Sequence, residues 1–104
     1  MKVTAWNDGK KTYGIRVGIR NRDRFFNKSW RNIEVDIEGS IYQFKLTPGF
    51  WKHCPEFRDS VKPTIREWLE KYNLVGWPKR KPPRFELVQI DNNKFRLEKY
   101  KISL

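Results

Sequence analysis

The sequence predicts an α+β fold, a mostly antiparallel sheet of about five strands with one amphipathic helix packed on it. Three observations carry this. β-branched and aromatic residues alternate with polar ones in several short segments. One segment, residues 60–72, has a helical apolar period instead. The turn-forming pairs Gly39-Ser40 and Asn92-Asn93 each separate two alternating runs. The elements read in the order β-β-β-β-α-β-β, beginning with a short first strand.

Tyr13, Ile15, Val17 and Ile19 fall on one face of a strand and Gly14, Arg16, Gly18 and Arg20 on the other. Asn21 to Ser29 has no period and reads as a loop. Ile33, Val35 and Ile37 then alternate with Glu34, Asp36 and Glu38. A two-residue Gly39-Ser40 turn of type II′ places Ile37 opposite Tyr42, Val35 opposite Phe44 and Ile33 opposite Leu46. The same register sets Glu34 against Lys45 and Asp36 against Gln43.

Thr47-Pro48-Gly49 ends that strand and opens an aromatic connection, residues 50–58. Asp59 or Ser60 is placed to cap a helix. Val61, Ile65, Trp68, Leu69 and Tyr72 form its apolar face, Pro63 lies in its first turn, and Asn73 and Gly76 stop it. Trp77 to Arg84 is a basic, proline-rich connector. Phe85 to Ile90 and Lys94 to Ile102 close the fold as a hairpin around Asn92-Asn93, with Ile90 facing Phe95 and Val88 facing Leu97.

The chain has 104 residues, which is one compact domain spanning 1–104. Its five Trp, seven Phe and four Tyr supply a core, so the high charge does not signal disorder. No apolar run is long enough to cross a bilayer, and the first residues lack the apolar stretch of a secretory signal. No membrane association is expected. With Cys54 the only cysteine and His53 the only histidine, neither an internal disulfide nor a His/Cys metal cage can form. The single thiol suits a reducing, cytoplasmic setting. No cofactor motif occurs, so none is expected.

The charge points to a partner. Lysine and arginine number 23 against 12 acids, a net charge of +11. Residues 9–31 carry eight basic residues against Asp23 alone, and residues 79–84 carry four with no acid, so these two stretches hold the whole excess. Segregated positive charge in a small domain is the electrostatic footprint of polyanion binding. Guanidinium groups grip phosphates with paired hydrogen bonds, and aromatic rings stack on unpaired bases. The expected contacts to nucleic acid are therefore Arg16, Arg20, Arg22, Arg24, Phe25, Lys28, Trp30 and Arg31, joined by Lys79, Arg80, Lys81 and Arg84. Aromatics beside arginines favour RNA or single-stranded DNA over duplex. Helix 60–72 shows a mixed outer face, unlike a recognition helix.

Two other functions use the same residues differently. In an accessory module docking on an acidic protein, the arginines meet carboxylates. In a small nuclease, His53 acts as general base, or the Glu34, Asp36 and Glu38 row holds a divalent cation, with Asp36 central. The amphipathic strand accounts for the carboxylate row without a metal. No second histidine accompanies His53. Binding is favoured over catalysis.

Overall fold

The computed structural model describes residues 1–99, and residues 100–104, including the end of the expected last strand, lie outside the described part. Seven strands form one sheet: β1 (Lys2–Asn7), β2 (Tyr13–Arg16), β3 (Asn32–Ile37), β4 (Ser40–Lys45), β5 (Glu56–Arg58), β6 (Arg84–Asp91) and β7 (Lys94–Lys99). Two helices accompany them among the described residues, α1 (Ile19–Phe25) and α2 (Thr64–Lys71), with a 3-10 turn at Pro48–Trp51. The sheet order is β4-β3-β7-β6-β1-β2-β5, and every pairing is antiparallel except β3 with β7. The edge strands β4 and β5 come together through the rings of Phe44 and Phe57, 5.0 Å apart. The sheet thus curls almost into a closed barrel around Ile15, Ile33, Val35, Phe57, Leu87 and Leu97.

The helices cover opposite ends. At one end Trp68 of α2 packs on Phe85 at 4.8 Å, and Lys71 and Tyr72 hydrogen-bond Glu38 in the β3–β4 turn. At the other, Phe26 just after α1 stacks on Phe95 at 4.9 Å, and Asn21 donates to the Lys2 and Val17 carbonyls.

The α+β class and the mostly antiparallel sheet agree with the sequence reading; the counts of strands and helices do not. β2 stops at Arg16. The Val17 and Gly18 N–H groups both reach the Pro55 carbonyl, and Gly18 takes φ +84° to turn the chain into α1. Residues 19–25 are therefore a helix where strand and loop were expected. Its inward members are the buried Arg22 and the half-buried Phe25, with the buried Phe26 just beyond its end, so an arginine interrupts the apolar period and hides it.

The β3–β4 hairpin forms in a register two residues away from the expected one. Ile37 pairs with Ser40, Val35 with Tyr42 and Ile33 with Phe44. The turn is Glu38-Gly39, both at positive φ, as a type I′ turn requires. Asp36 Oδ1 accepts from the Gly39 N–H at 2.8 Å and favours this turn over Gly39-Ser40. A two-residue shift preserves both faces, so the apolar side stays buried. Glu34 now faces Gln43 and pairs with Lys94 at 3.5 Å instead of Lys45.

The β6–β7 hairpin differs by an irregularity between Gln89 and Asp91. It sets Leu87 opposite Leu97 and Gln89 opposite Phe95, turning Val88 and Ile90 to the exterior. In α2 the face Ile65, Trp68 and Leu69 is buried as expected, but the helix begins at Thr64 and Val61 is 96% exposed. Asp59 caps it from a distance, accepting from the Ile65 and Arg66 N–H groups at 2.8 and 3.0 Å. Burial pushes the Asp59 carboxyl up from its ordinary pKa, against the pull of those two bonds.

Candidate nucleic-acid interface

Strand register decides which basic residues meet. On β1, Val3 and Ala5 point inward, which sends Thr4 and Trp6 to the outer face. Thr4 pairs with Arg16 of β2 on one side and with Arg84 of β6 on the other. The two arginines flank the same threonine, about 10 Å apart at two strand spacings. Residues from the two basic stretches of the sequence thus share one surface.

The neighbouring row is Trp6, Gly14 and Arg58, in register across β1, β2 and β5. Gly14 has no side chain to block it. The Arg58 guanidinium therefore reaches across the strand to lie 4.4 Å over the Trp6 ring. A Cβ at Gly14 would sit 2.4 Å from the Phe57 carbonyl oxygen, so close approach of β5 requires the glycine. Arg58 also bonds Glu56 at 2.8 Å, and the Glu56 side chain is only 2% exposed.

The basic connector runs beside this face. The Pro83 carbonyl accepts from the Ala5 N–H at 2.9 Å, and Trp77 packs at a steep angle on Tyr13. Between connector and strands lies a shallow cleft of about 230 Å³, lined by Trp6, Asn7, Arg16, Trp77, Arg80 and Pro82. Lys79, Lys81 and Arg84 are exposed along its approach. The cleft thus sets two half-exposed indoles, Trp6 and Trp77, beside the guanidinium groups of Arg16 and Arg80.

The remaining expected contacts gather around α1. Arg20 and Arg24 are exposed, and Arg24 lies 5.3 Å over the half-buried Phe25. Lys28, Trp30 and Arg31 line a second cleft with Leu46, Pro48 and Trp51. Arg22 is the exception. It is 8% exposed, and its Nη1 donates to the Phe50 and Lys52 carbonyls at 2.9 and 3.1 Å while Nε bonds Asp23. It ties α1 to the 3-10 turn, with three of its five N–H donors engaged inside the protein and the side chain buried away from an outside phosphate.

The carboxylate row is dispersed by its own bonds. Glu34 pairs with Lys94, Asp36 serves the turn, and Glu38 meets Lys71 and Tyr72. The Tyr72 hydroxyl, donating to Glu38, holds that carboxyl below its ordinary pKa. Among the described residues no three His, Cys, Asp or Glu side chains come together as a metal site. His53 is exposed and Cys54 half-buried in the turn before β5, and no carboxylate among the described residues bonds the imidazole. No helix among the described residues is long and apolar enough to cross a membrane.

Sequence reasoning missed Trp6, Arg58 and Trp77 on the first surface and Trp51 in the second cleft. The signal for Trp6 was present in the Val3-Thr4-Ala5-Trp6 alternation. Arg58 reaches Trp6 only through a β2–β5 pairing that no local pattern announces. Comparison with known proteins gives no match to a family model, a curated protein or a solved structure.

Proposed function

We propose that this protein binds single-stranded nucleic acid, RNA or DNA, along the outer face of β6, β1 and β2 and the 77–84 connector. The observation that carries the reading is the double pairing of Thr4, which brings Arg16 and Arg84 together beside Trp6, Trp77 and Arg80. Phosphates lie on the arginines, and unstacked bases lie against the indoles. A duplex would satisfy the arginines but keep its bases from the rings. Arg20, Arg24, Lys79 and Lys81 extend the positive field around that path, and Arg22 acts only by holding the fold.

The test is fluorescence anisotropy with a labelled single-stranded oligonucleotide over a salt series. Each phosphate contact on a single strand contributes about 0.7 to the slope of log affinity against log salt. The double variant Arg16→Gln/Arg84→Gln is expected to lower that slope by about 1.4, since two contacts are removed. Both side chains are exposed, so the fold is retained. An unchanged slope in the folded double variant would remove this face from the account.

A further inference from the structure

We propose that the second cleft, between the turn after α1 and the 3-10 turn after β4, is a separate pocket for a single nucleotide, its base against Trp30 and Trp51 and its phosphate on Lys28 and Arg31. The proposal rests on reading the chain as a nucleotide-recognising domain, but it uses none of the residues on the β1–β2 face.

Four features converge on it. The cleft measures about 400 Å³ and falls within the range of small-ligand pockets, whereas the groove beside Trp6 is smaller and open along a strand path. Its two indoles are half-exposed yet anchored from behind. Trp30 packs at steep angles on Phe26 and Phe95 at 5.9 and 6.3 Å, and Trp51 on Phe50 at 5.1 Å. The backbone on both sides is fixed in advance. Asn27 Oδ1 accepts from the Ser29 N–H and hydroxyl at 2.9 and 2.8 Å, which shapes the turn carrying Lys28 and Trp30. Arg22 grips the carbonyls of Phe50 and Lys52, the two residues that flank Trp51. Finally, Lys28 and Arg31 are exposed, have no ion-pair partner among the described residues, and share the cleft with no acid.

A ligand matching these walls is flat, with apolar faces, and carries an anion at its edge. Inorganic phosphate would leave the indoles unused, and a neutral nucleoside would leave the cations unused. A nucleoside monophosphate engages both. Preorganised walls lower the ordering cost of binding, so even one nucleotide should bind measurably. The buried Arg22 guanidinium, 6.0 Å from the Trp51 ring centroid, holds the backbone on both sides of that ring.

The test follows the five tryptophan indole N–H signals by NMR while adenosine monophosphate is added. At up to about 10 mM ligand, suited to a millimolar dissociation constant, the Trp30 and Trp51 signals are expected to move together and saturate. Adenosine alone should bind about tenfold more weakly, as should the monophosphate to Lys28→Glu/Arg31→Glu, whose exposed positions leave the fold intact. Three results would overturn the pocket. The Trp30 and Trp51 signals do not move, inorganic phosphate alone reproduces the shifts, or the charge-reversed variant binds the monophosphate unchanged. An oligonucleotide that moves Trp6 and Trp77, while the monophosphate leaves Trp30 and Trp51 still, overturns this proposal and leaves the single-strand face standing. Movement of Trp30 and Trp51 alone, with Trp6 and Trp77 unaffected by the oligonucleotide, does the reverse.

Discussion

Replacing Arg22 with methionine separates an arginine that holds the fold from one that holds a ligand. The variant keeps most of the packing of the aliphatic stem and removes the guanidinium. Two hydrogen bonds to main-chain carbonyls are lost, one of them fully buried at Phe50. A hydrogen bond from a charged donor contributes about 1.5–3 kcal/mol, and a buried acceptor left alone adds its own desolvation cost. The bond to Asp23 is discounted, because that carboxylate is 59% exposed. The Lys52 carbonyl is only partly buried and recovers some hydration, so the two losses do not simply add. The expected cost is about 3 kcal/mol, or about 12–24 °C in Tm for a domain of this size. Thermal unfolding followed by tryptophan fluorescence gives the first reading. Oligonucleotide binding across a salt series, at a temperature where the variant is folded, gives the second. The slope should match the unsubstituted chain, because Arg22 neutralises no phosphate. Arg24→Met should behave oppositely, with Tm nearly unchanged and the slope reduced by about 0.7 if Arg24 contacts one phosphate. A fall of less than about 4 °C for Arg22→Met, together with a reduced slope, would refute the assignment of Arg22 to the interior.

Other consequences follow from single contacts. Asp59→Ala removes the remote cap of α2 and should cost about 1–2 kcal/mol in urea unfolding, with Asp59→Asn recovering part of it. Gly14→Ala drives a methyl into the Phe57 carbonyl and should cost about 3 kcal/mol, while releasing Arg58 from Trp6 as a change in tryptophan emission. Glu38 has a folded-state pKa below its ordinary 4.5, because the carboxylate accepts from Tyr72 and Lys71. Its contribution is therefore present above the unfolded-state pKa and lost as pH falls through the lower folded value. Glu38→Gln should be less stable than the unsubstituted chain near neutral pH, and the two should converge in acid below the carboxylate range. A gap that persists there would show that the contact does not depend on charge.

Much of the framework could be read from local pattern. The face assignment of β3 and β4 survived a register error, because the shift was by two residues and the side-chain period is two. The buried face of α2 was legible in Ile65, Trp68 and Leu69, although its start was not, since Asp59 caps from beyond the helix. What stayed hidden depends on distant chain segments. Helix α1 buries an arginine whose partners are carbonyls 28 and 30 residues away, so its inward face does not look apolar. The irregularity at Ile90 reverses the faces of Val88 and Ile90, and nothing in the alternation marks it. For the site, composition and charge located the basic segments, but only the strand order β6-β1-β2 shows that Arg84 and Arg16 are neighbours. The tryptophans that accompany them arrive by the same route.

On the proposed reading, bases as well as phosphates meet this surface. This is tested most directly by comparing a single strand with a duplex of the same sequence, by anisotropy across the same salt range. The single strand is expected to bind more tightly at every salt concentration, and the difference to persist at high salt, where the phosphate contribution has weakened. Equal or tighter binding of the duplex would contradict the stacking role of Trp6 and Trp77 and reduce the face to a general phosphate-binding surface.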